Sequence, residues 1–323
     1  MESFENNADF TANAGRGFIV GAPRSGTTLL MNLVAAHPQI APVYETGYVR
    51  NLLLLCERIA QTSSGGWREK IFVGMGRRLI GAGLEKHTKP FVDKVLPYYK
   101  ATDTTKRGKT KDEFFPFGNR CIEYNFCELV HETQRFIDGL AAPDDGVNDP
   151  FLLARRYIDR LFAIHCSRMN RPYWVNKTPS LVRRLDLLRK MYPECAIIHI
   201  VRDGRDVALS TISLRNGPNN VRDAARRWKD MVLSSRRLDK GHRYLEIHYE
   251  QLIATPEQTL DSVFAVLGFE ARPLASLPGM EIYRHREKVW RTGLTTKDKA
   301  MFAKEAGDLL IELGYEKDDA WVN

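Results

Sequence analysis

A chain of 323 residues with 43% hydrophobic residues holds enough apolar material for one large α/β domain, or one domain with a sizeable insertion. Its 48 Lys and Arg against 40 Asp and Glu leave a formal charge of +8, which suits an anionic ligand; no Lys/Arg block resembles a DNA-binding arm, and no RNA-binding or zinc-finger signature occurs. Five cysteines (Cys56, Cys121, Cys127, Cys166, Cys195) form no C-x-x-C pair, and no apolar signal core or membrane-length run is present, so the expectation is a reduced, cytoplasmic protein without disulfides or zinc.

Residues 1–16 read as a flexible lead-in to a single domain over 17–323. Phe18-Ile19-Val20 is a short buried strand, Gly21-Ala22-Pro23-Arg24-Ser25-Gly26 a turn, and from Thr27 the residues Leu29, Leu30, Leu33 and Val34 recur at helical spacing. Strand, glycine loop and helix N-terminus together make an anion site, because the first helical amides lack internal partners and the helix dipole favours negative charge there. Gly26 lets the main chain come close, and Thr27 and Thr28 add hydroxyl donors. The spacing Gly21-(four residues)-Gly26 is that of a Walker A loop, but Thr27 stands where that loop needs Lys. The cation, Arg24, lies inside the loop, where a planar guanidinium suits an oxyanion that no metal covers.

His37-Pro38 ends this helix, and His37 is read as a helix-end residue rather than a base. Ile40 to Tyr44 forms a second strand reaching Glu45-Thr46, and helices follow around 51–60 and 67–80. Residues 82–150 are the least regular stretch, with a charged run at 106–113, the aromatic patch Phe114-Phe115-Pro116-Phe117, Tyr98-Tyr99, and a Pro/Asp/Gly loop at 143–150. The segment reads either as an insertion carrying an acceptor pocket or lid, or as a solvated loop. Phe151–Met169 is an amphipathic helix, Tyr173–Asn176 a strand ending at Lys177, and Ser180 begins a basic helix with Leu181, Leu185 and Leu188 on one face.

The second landmark runs from a strand, Ala196–Val201, through the turn Arg202-Asp203-Gly204-Arg205 to a helix from Asp206 to Ser210. In a nucleoside triphosphatase the comparable strand ends in a magnesium-binding Asp; here it ends in Arg202. Arg202 and Ser210 can both face one phosphate at the carboxyl edge of a sheet, although Arg202, Asp203, Arg205 and Asp206 also read as a surface ion-pair cluster. Helix Val221–Leu238, strand Tyr244–Tyr249, helix Pro256–Leu267 and helix Asp298–Leu313, stopped by Gly314, complete the chain. Alternating strands and helices predict an α/β, P-loop-type three-layer fold: a central parallel sheet flanked by helices, with a mainly helical insertion.

Gly-Ala-Pro-Arg-Ser-Gly-Thr-Thr and Val-Arg-Asp-Gly-Arg-Asp-Val-Ala-Leu-Ser resemble the 5′- and 3′-phosphate motifs of sulfotransferases that use 3′-phosphoadenosine 5′-phosphosulfate (PAPS). Asn176-Lys177-Thr178-Pro179 is similar to their Lys-Thr-Pro step, and the segment around Tyr249-Glu250 to the one whose Tyr lies near the adenine. The resemblance implies that the amides of Ser25, Gly26, Thr27 and Thr28 hold the 5′-phosphate and that Arg24 grips the sulfonate or bridging oxygen. It also implies that Arg202 and Ser210 hold the 3′-phosphate, joined by one of Arg286, Lys288 and Arg291. Tyr44-Glu45-Thr46 is similar to the Glu-Glu-Thr of tyrosylprotein sulfotransferases, which makes Glu45 the expected general base, with Lys177 and Arg24 its catalytic partners. The implied reaction is sulfuryl transfer from PAPS, without metal, to a hydroxyl of a small metabolite, a glycan or lipid headgroup, or a peptide Tyr. The alternatives are a metal-dependent P-loop kinase and a non-catalytic binder of adenine nucleotides or sulfated polymers.

Overall fold

The computed structural model describes residues 16–44, 47–61, 149–214, 217–236, 243–270 and 287–322. The expected helix at 67–80, the stretch 82–148, the aromatic groups at 98–99 and 114–117, Glu45 and Arg286 lie outside the described residues. In chain order the elements are β1 (Arg16–Gly21), α1 (Thr27–Ala35), β2 (Ile40–Tyr44), α2 (Gly47–Gln61), α3 (Pro150–Met169), β3 (Tyr173–Lys177), α4 (Leu185–Met191), β4 (Ala196–Val201) and α5 (Gly204–Ile212). They continue with α6 (Val221–Arg236), β5 (Tyr244–His248), α7 (Tyr249–Ala254), α8 (Pro256–Leu267), α9 (Trp290–Gly293) and α10 (Thr296–Glu312).

All five strands are parallel, in the order β2-β3-β1-β4-β5. β1 is central because both its faces are apolar and buried, as a strand covered by helices on two sides must be. The pleat then divides the core. Phe18, Val20, Ala41, Val43, Trp174 and Ile197 pack on one face with residues of α2, α3 and α4. Ile19, Ile40, Val175, Ile198 and Ile200 pack on the other with α1 and α8. A third cluster joins α5, α6 and α10 around Trp228 and Phe302. The α/β, three-layer expectation is met, and among the described residues no helix is long and apolar enough to cross a membrane.

Three local departures from the sequence reading have physical causes. The basic helix expected from Ser180 opens as a 3₁₀ segment, Pro179–Arg184, and becomes α-helical only at Leu185. Arg184 leaves helical space (φ −138°, ψ 30°), and the break lets Leu181, Val182 and Leu185 all reach the core. α5 starts at Gly204, two residues early, because the Asp203 carboxylate caps it by accepting the Arg205 N–H at 2.9 Å. α10 likewise starts before Asp298, since Thr295 and Asp298 cap each other reciprocally.

Candidate active site

Of the described residues singled out from sequence, the carboxyl edge of the sheet collects Lys177, Arg202, Tyr249 and the glycine loop with Arg24. β1 feeds the glycine loop, β3 ends at Lys177, β4 delivers Arg202, β5 leads to Tyr249, and β2 ends at Tyr44. A parallel sheet puts all these ends on one side, which is where open α/β folds bind ligands.

In the loop, the Ser25 N–H donates to the Ala22 carbonyl at 3.1 Å and closes a tight turn. Arg24 (φ 72°) and Gly26 (φ 91°) both take left-handed backbone, and the first helical bond is Leu30 N–H to the Gly26 carbonyl, 3.0 Å. The amides ahead of Leu30 therefore have no partner inside the helix. No described side chain caps α1 and its first turn holds no acid, so the positive end of the helix dipole stands uncompensated. Ser25 and Thr27 are buried and Thr28 half-buried. A Cβ on Gly26 would run into the Tyr249 ring, so glycine is needed here for contact as well as for backbone angle.

The second motif lies directly against the first. Arg202 Nη1 donates to the Arg24 carbonyl at 3.1 Å, and Arg24 Nε donates to Ser210 Oγ at 2.9 Å. Arg202 and Arg24 are 178 residues apart in sequence yet share one hydrogen bond. Arg24, which the resemblance assigns to the sulfonate, thus reaches the motif assigned to the 3′-phosphate. Tyr249, expected near an adenine, is 4% exposed and carries the Arg202 guanidinium 4.5 Å from its ring centroid. The residues that could have formed a surface ion-pair cluster are interior instead, with Arg202, Asp203, Arg205 and Asp206 all buried. Arg205 donates to both Asp203 oxygens, at 3.0 and 2.8 Å, and pairs with Glu316 at 2.5 Å. Among the candidates for the last cation, Lys288 is exposed but its N–H donates to Asp206, while the Arg291 guanidinium lies 5.5 Å from the Trp290 ring.

Lys177 is 3% exposed, with Nζ 5.6 Å from the centroid of the Tyr44 ring, a cation–π contact. The Tyr44 hydroxyl donates to Asn32 Oδ1 at 2.6 Å, and burial pushes its pKa far above the usual phenol range, so the ring stays neutral. The backbone beneath Lys177 is fixed from two sides. Asn176 Nδ2 donates to the Val43 carbonyl at 3.2 Å, and the Thr178 N–H to the Ile19 carbonyl at 3.2 Å. Tyr44 was not singled out as a site residue from sequence, since only the β2–β3 pairing, Tyr44 opposite Lys177, reveals it. Glu250 was missed too. It accepts the Asp203 N–H at 3.0 Å and the Tyr315 hydroxyl at 3.0 Å, steadying the turn after β4, while burial raises its pKa. His37 packs against Phe264 and Phe269, as a helix-end residue would.

A family model described as the sulfotransferase family matches residues 18–72 and 118–273, well over half of the chain. The chain is 22% identical to nodulation protein NoeE of Sinorhizobium fredii, over 93% of this chain and 66% of that protein. It is 25% identical to protein-tyrosine sulfotransferase 1 of Danio rerio, over 77% of this chain and 52% of that one. The sulfotransferase domain of the Synechococcus PCC 7002 olefin synthase aligns over 91% of this chain and 95% of that one, at 18% identity and a TM-score of 0.45. The chain therefore spans about half to two thirds of the length of these two curated relatives.

Proposed function

The chain belongs to the sulfotransferase family, and from that premise we propose that it moves the sulfuryl group of PAPS to an acceptor hydroxyl and releases adenosine 3′,5′-bisphosphate. The observation that carries this reading is the junction of the two motifs: Arg202 bonded to Arg24 and Arg24 bonded to Ser210, at 3.1 and 2.9 Å. Two anion-seeking elements that touch suit one ligand with two phosphates.

The residues fit such a donor. The amides of Gly26, Thr27 and Thr28 supply neutral donors at a helix N-terminus, a place where a phosphate is favoured. The Ser25 amide expected beside them is given to the Ala22 carbonyl, which leaves Ser25 its hydroxyl to offer. Arg202 and Ser210 offer a guanidinium and a hydroxyl to a second phosphate, with Lys288 better placed than Arg291 to add charge, because its backbone bonds the same Asp206 oxygen that Arg202 meets. Tyr249 packs against both the Arg202 guanidinium and Gly26, and so joins the two motifs. PAPS, when bound, supplies the activated sulfuryl group.

In this scheme Glu45 takes the proton of the acceptor hydroxyl. Lys177 and Arg24 meet the charge that grows on the leaving phosphate and on the equatorial sulfonate oxygens, the task that Arg and Mg²⁺ share in phosphoryl transfer. Lys177 is prepared for this by its seat over Tyr44, since a fixed, desolvated cation needs no reorganisation during the reaction. With side-chain cations in these positions the scheme assigns no role to a metal. The acceptor is a small hydroxylated metabolite, a glycan or lipid headgroup, or a peptide tyrosine of the kind named in the Danio rerio relative. We place the enzyme in the cytoplasm, where free thiols such as Cys56, Cys166 and Cys195 stay reduced.

The test is turnover with labelled PAPS against an acceptor panel that spans these three classes. Glu45→Gln and Lys177→Ala should each lower turnover about 10²–10³-fold while adenosine 3′,5′-bisphosphate still binds. Full activity in Glu45→Gln would remove that residue as base. Activity lost to a chelator and restored by Mg²⁺ would count against the metal-free scheme.

A further inference from the structure

Asp206 lies four residues beyond Arg202, in the first turn of α5. It is 4% exposed, and three donors converge on it. Oδ2 meets Arg202 Nη2 at 3.3 Å and accepts the Lys288 N–H at 2.9 Å, while Oδ1 accepts the Trp290 N–H at 3.0 Å. A carboxylate buried without such donors would be costly, and here they hold it in place. Burial nonetheless lifts its pKa above the ordinary range, against the pull of the Trp290 N–H and Arg202.

What this carboxylate holds is an exposed stretch of chain. Glu287 to Val289 belong to no helix or strand, and Lys288 sits at φ 54°, a left-handed angle that a non-glycine residue keeps only when its surroundings impose it. The side chain next along is locked separately. The Trp290 ring lies 3.6 Å from the Arg205 guanidinium carbon, and Trp321 covers the same cation at 4.5 Å. Arg205 thus fixes the indole, and Asp206 fixes the backbone. One oxygen of Asp206 joins the Lys288 amide to the Arg202 guanidinium, so the two cationic residues share an anchor.

We propose that Asp206 is a positioning residue of the 3′-phosphate site, clamping the 287–290 segment onto α5 and aiming Arg202, so that selectivity for nucleoside 3′,5′-bisphosphates over 5′-monophosphates depends on it. This rests on the sulfuryl-transfer reading. A residue that only stabilised the fold would affect both nucleotides alike; a residue that assembles the 3′-phosphate site affects one.

The experiment is calorimetric titration of the full chain with adenosine 3′,5′-bisphosphate and with adenosine 5′-phosphate. Asp206→Asn should weaken the bisphosphate about 10- to 100-fold, the range of one charge-assisted contact, and the monophosphate less than about threefold. An unchanged ratio of the two affinities in a folded Asp206→Asn chain overturns the inference. Should that variant not fold, hydrogen exchange on the wild-type chain decides. The 287–290 amides should gain protection with the bisphosphate and not with the monophosphate, and equal protection by both overturns the inference. If the wild-type chain binds neither nucleotide, the sulfuryl-transfer reading itself falls, which is a different outcome from either of these.

Discussion

Gly26 shows how much a single position carries. Its left-handed backbone and its contact with Tyr249 exclude any side chain, and through Tyr249 the constraint reaches Arg202. Gly26→Ala should cost about 1–2 kcal/mol of stability from the backbone angle alone, read from urea melts. It should weaken adenosine 3′,5′-bisphosphate as well, because the ring that supports Arg202 must move. Wild-type affinity in that variant would separate the loop from the site. Much at this scale was legible in the sequence: the glycine, the misplaced cation Arg24, Lys177 after its strand, and Arg202 after its own. The supports were not. Asp206 meets its backbone donors 82 and 84 residues later in the chain, and Tyr44 meets Lys177 only through strand pairing, so no local pattern announces either.

At the scale of elements, most of the described strands and helices followed from apolar spacing. The boundary errors fell at helix ends, where one or two capping bonds decide, and the short helices α7 and α9 had too few residues to show a period. The junction of β5 and α7 adds a pH-sensitive joint. His248 Nδ1 lies 3.1 Å from the Tyr315 hydroxyl, which in turn donates to Glu250. Burial lowers the His248 pKa below its ordinary value near 6.5, with Glu246 opposing and His199 adding to the effect. The native chain therefore binds this proton less readily than the unfolded chain does. The contribution of His248 to stability is complete above pH 6.5 and is lost as pH falls below it, the unfolded state taking the proton first. Melting temperature should decline on that acid side, and His248→Gln should flatten the decline. An identical pH profile in the variant would assign the slope to other groups.

For the whole molecule, one ligand touching the ends of several strands should tie the sheet edge together. Adenosine 3′,5′-bisphosphate at hundredfold excess over its dissociation constant should add about 2.7 kcal/mol to stability, visible as a higher melting temperature, while adenosine without phosphates should add almost nothing. An equal shift with plain adenosine would place the recognition on the base instead of the phosphates. The sequence by itself determined the strand–loop–helix units and the chemical character of each, because backbone sterics, helix-end amides and side-chain type act within a few residues. Which of those units stand side by side was decided by the strand order β2-β3-β1-β4-β5, which sets Lys177, the glycine loop and Arg202 on neighbouring strands. That order comes from burying both faces of the sheet at once, a balance over the entire core that no short stretch of sequence contains.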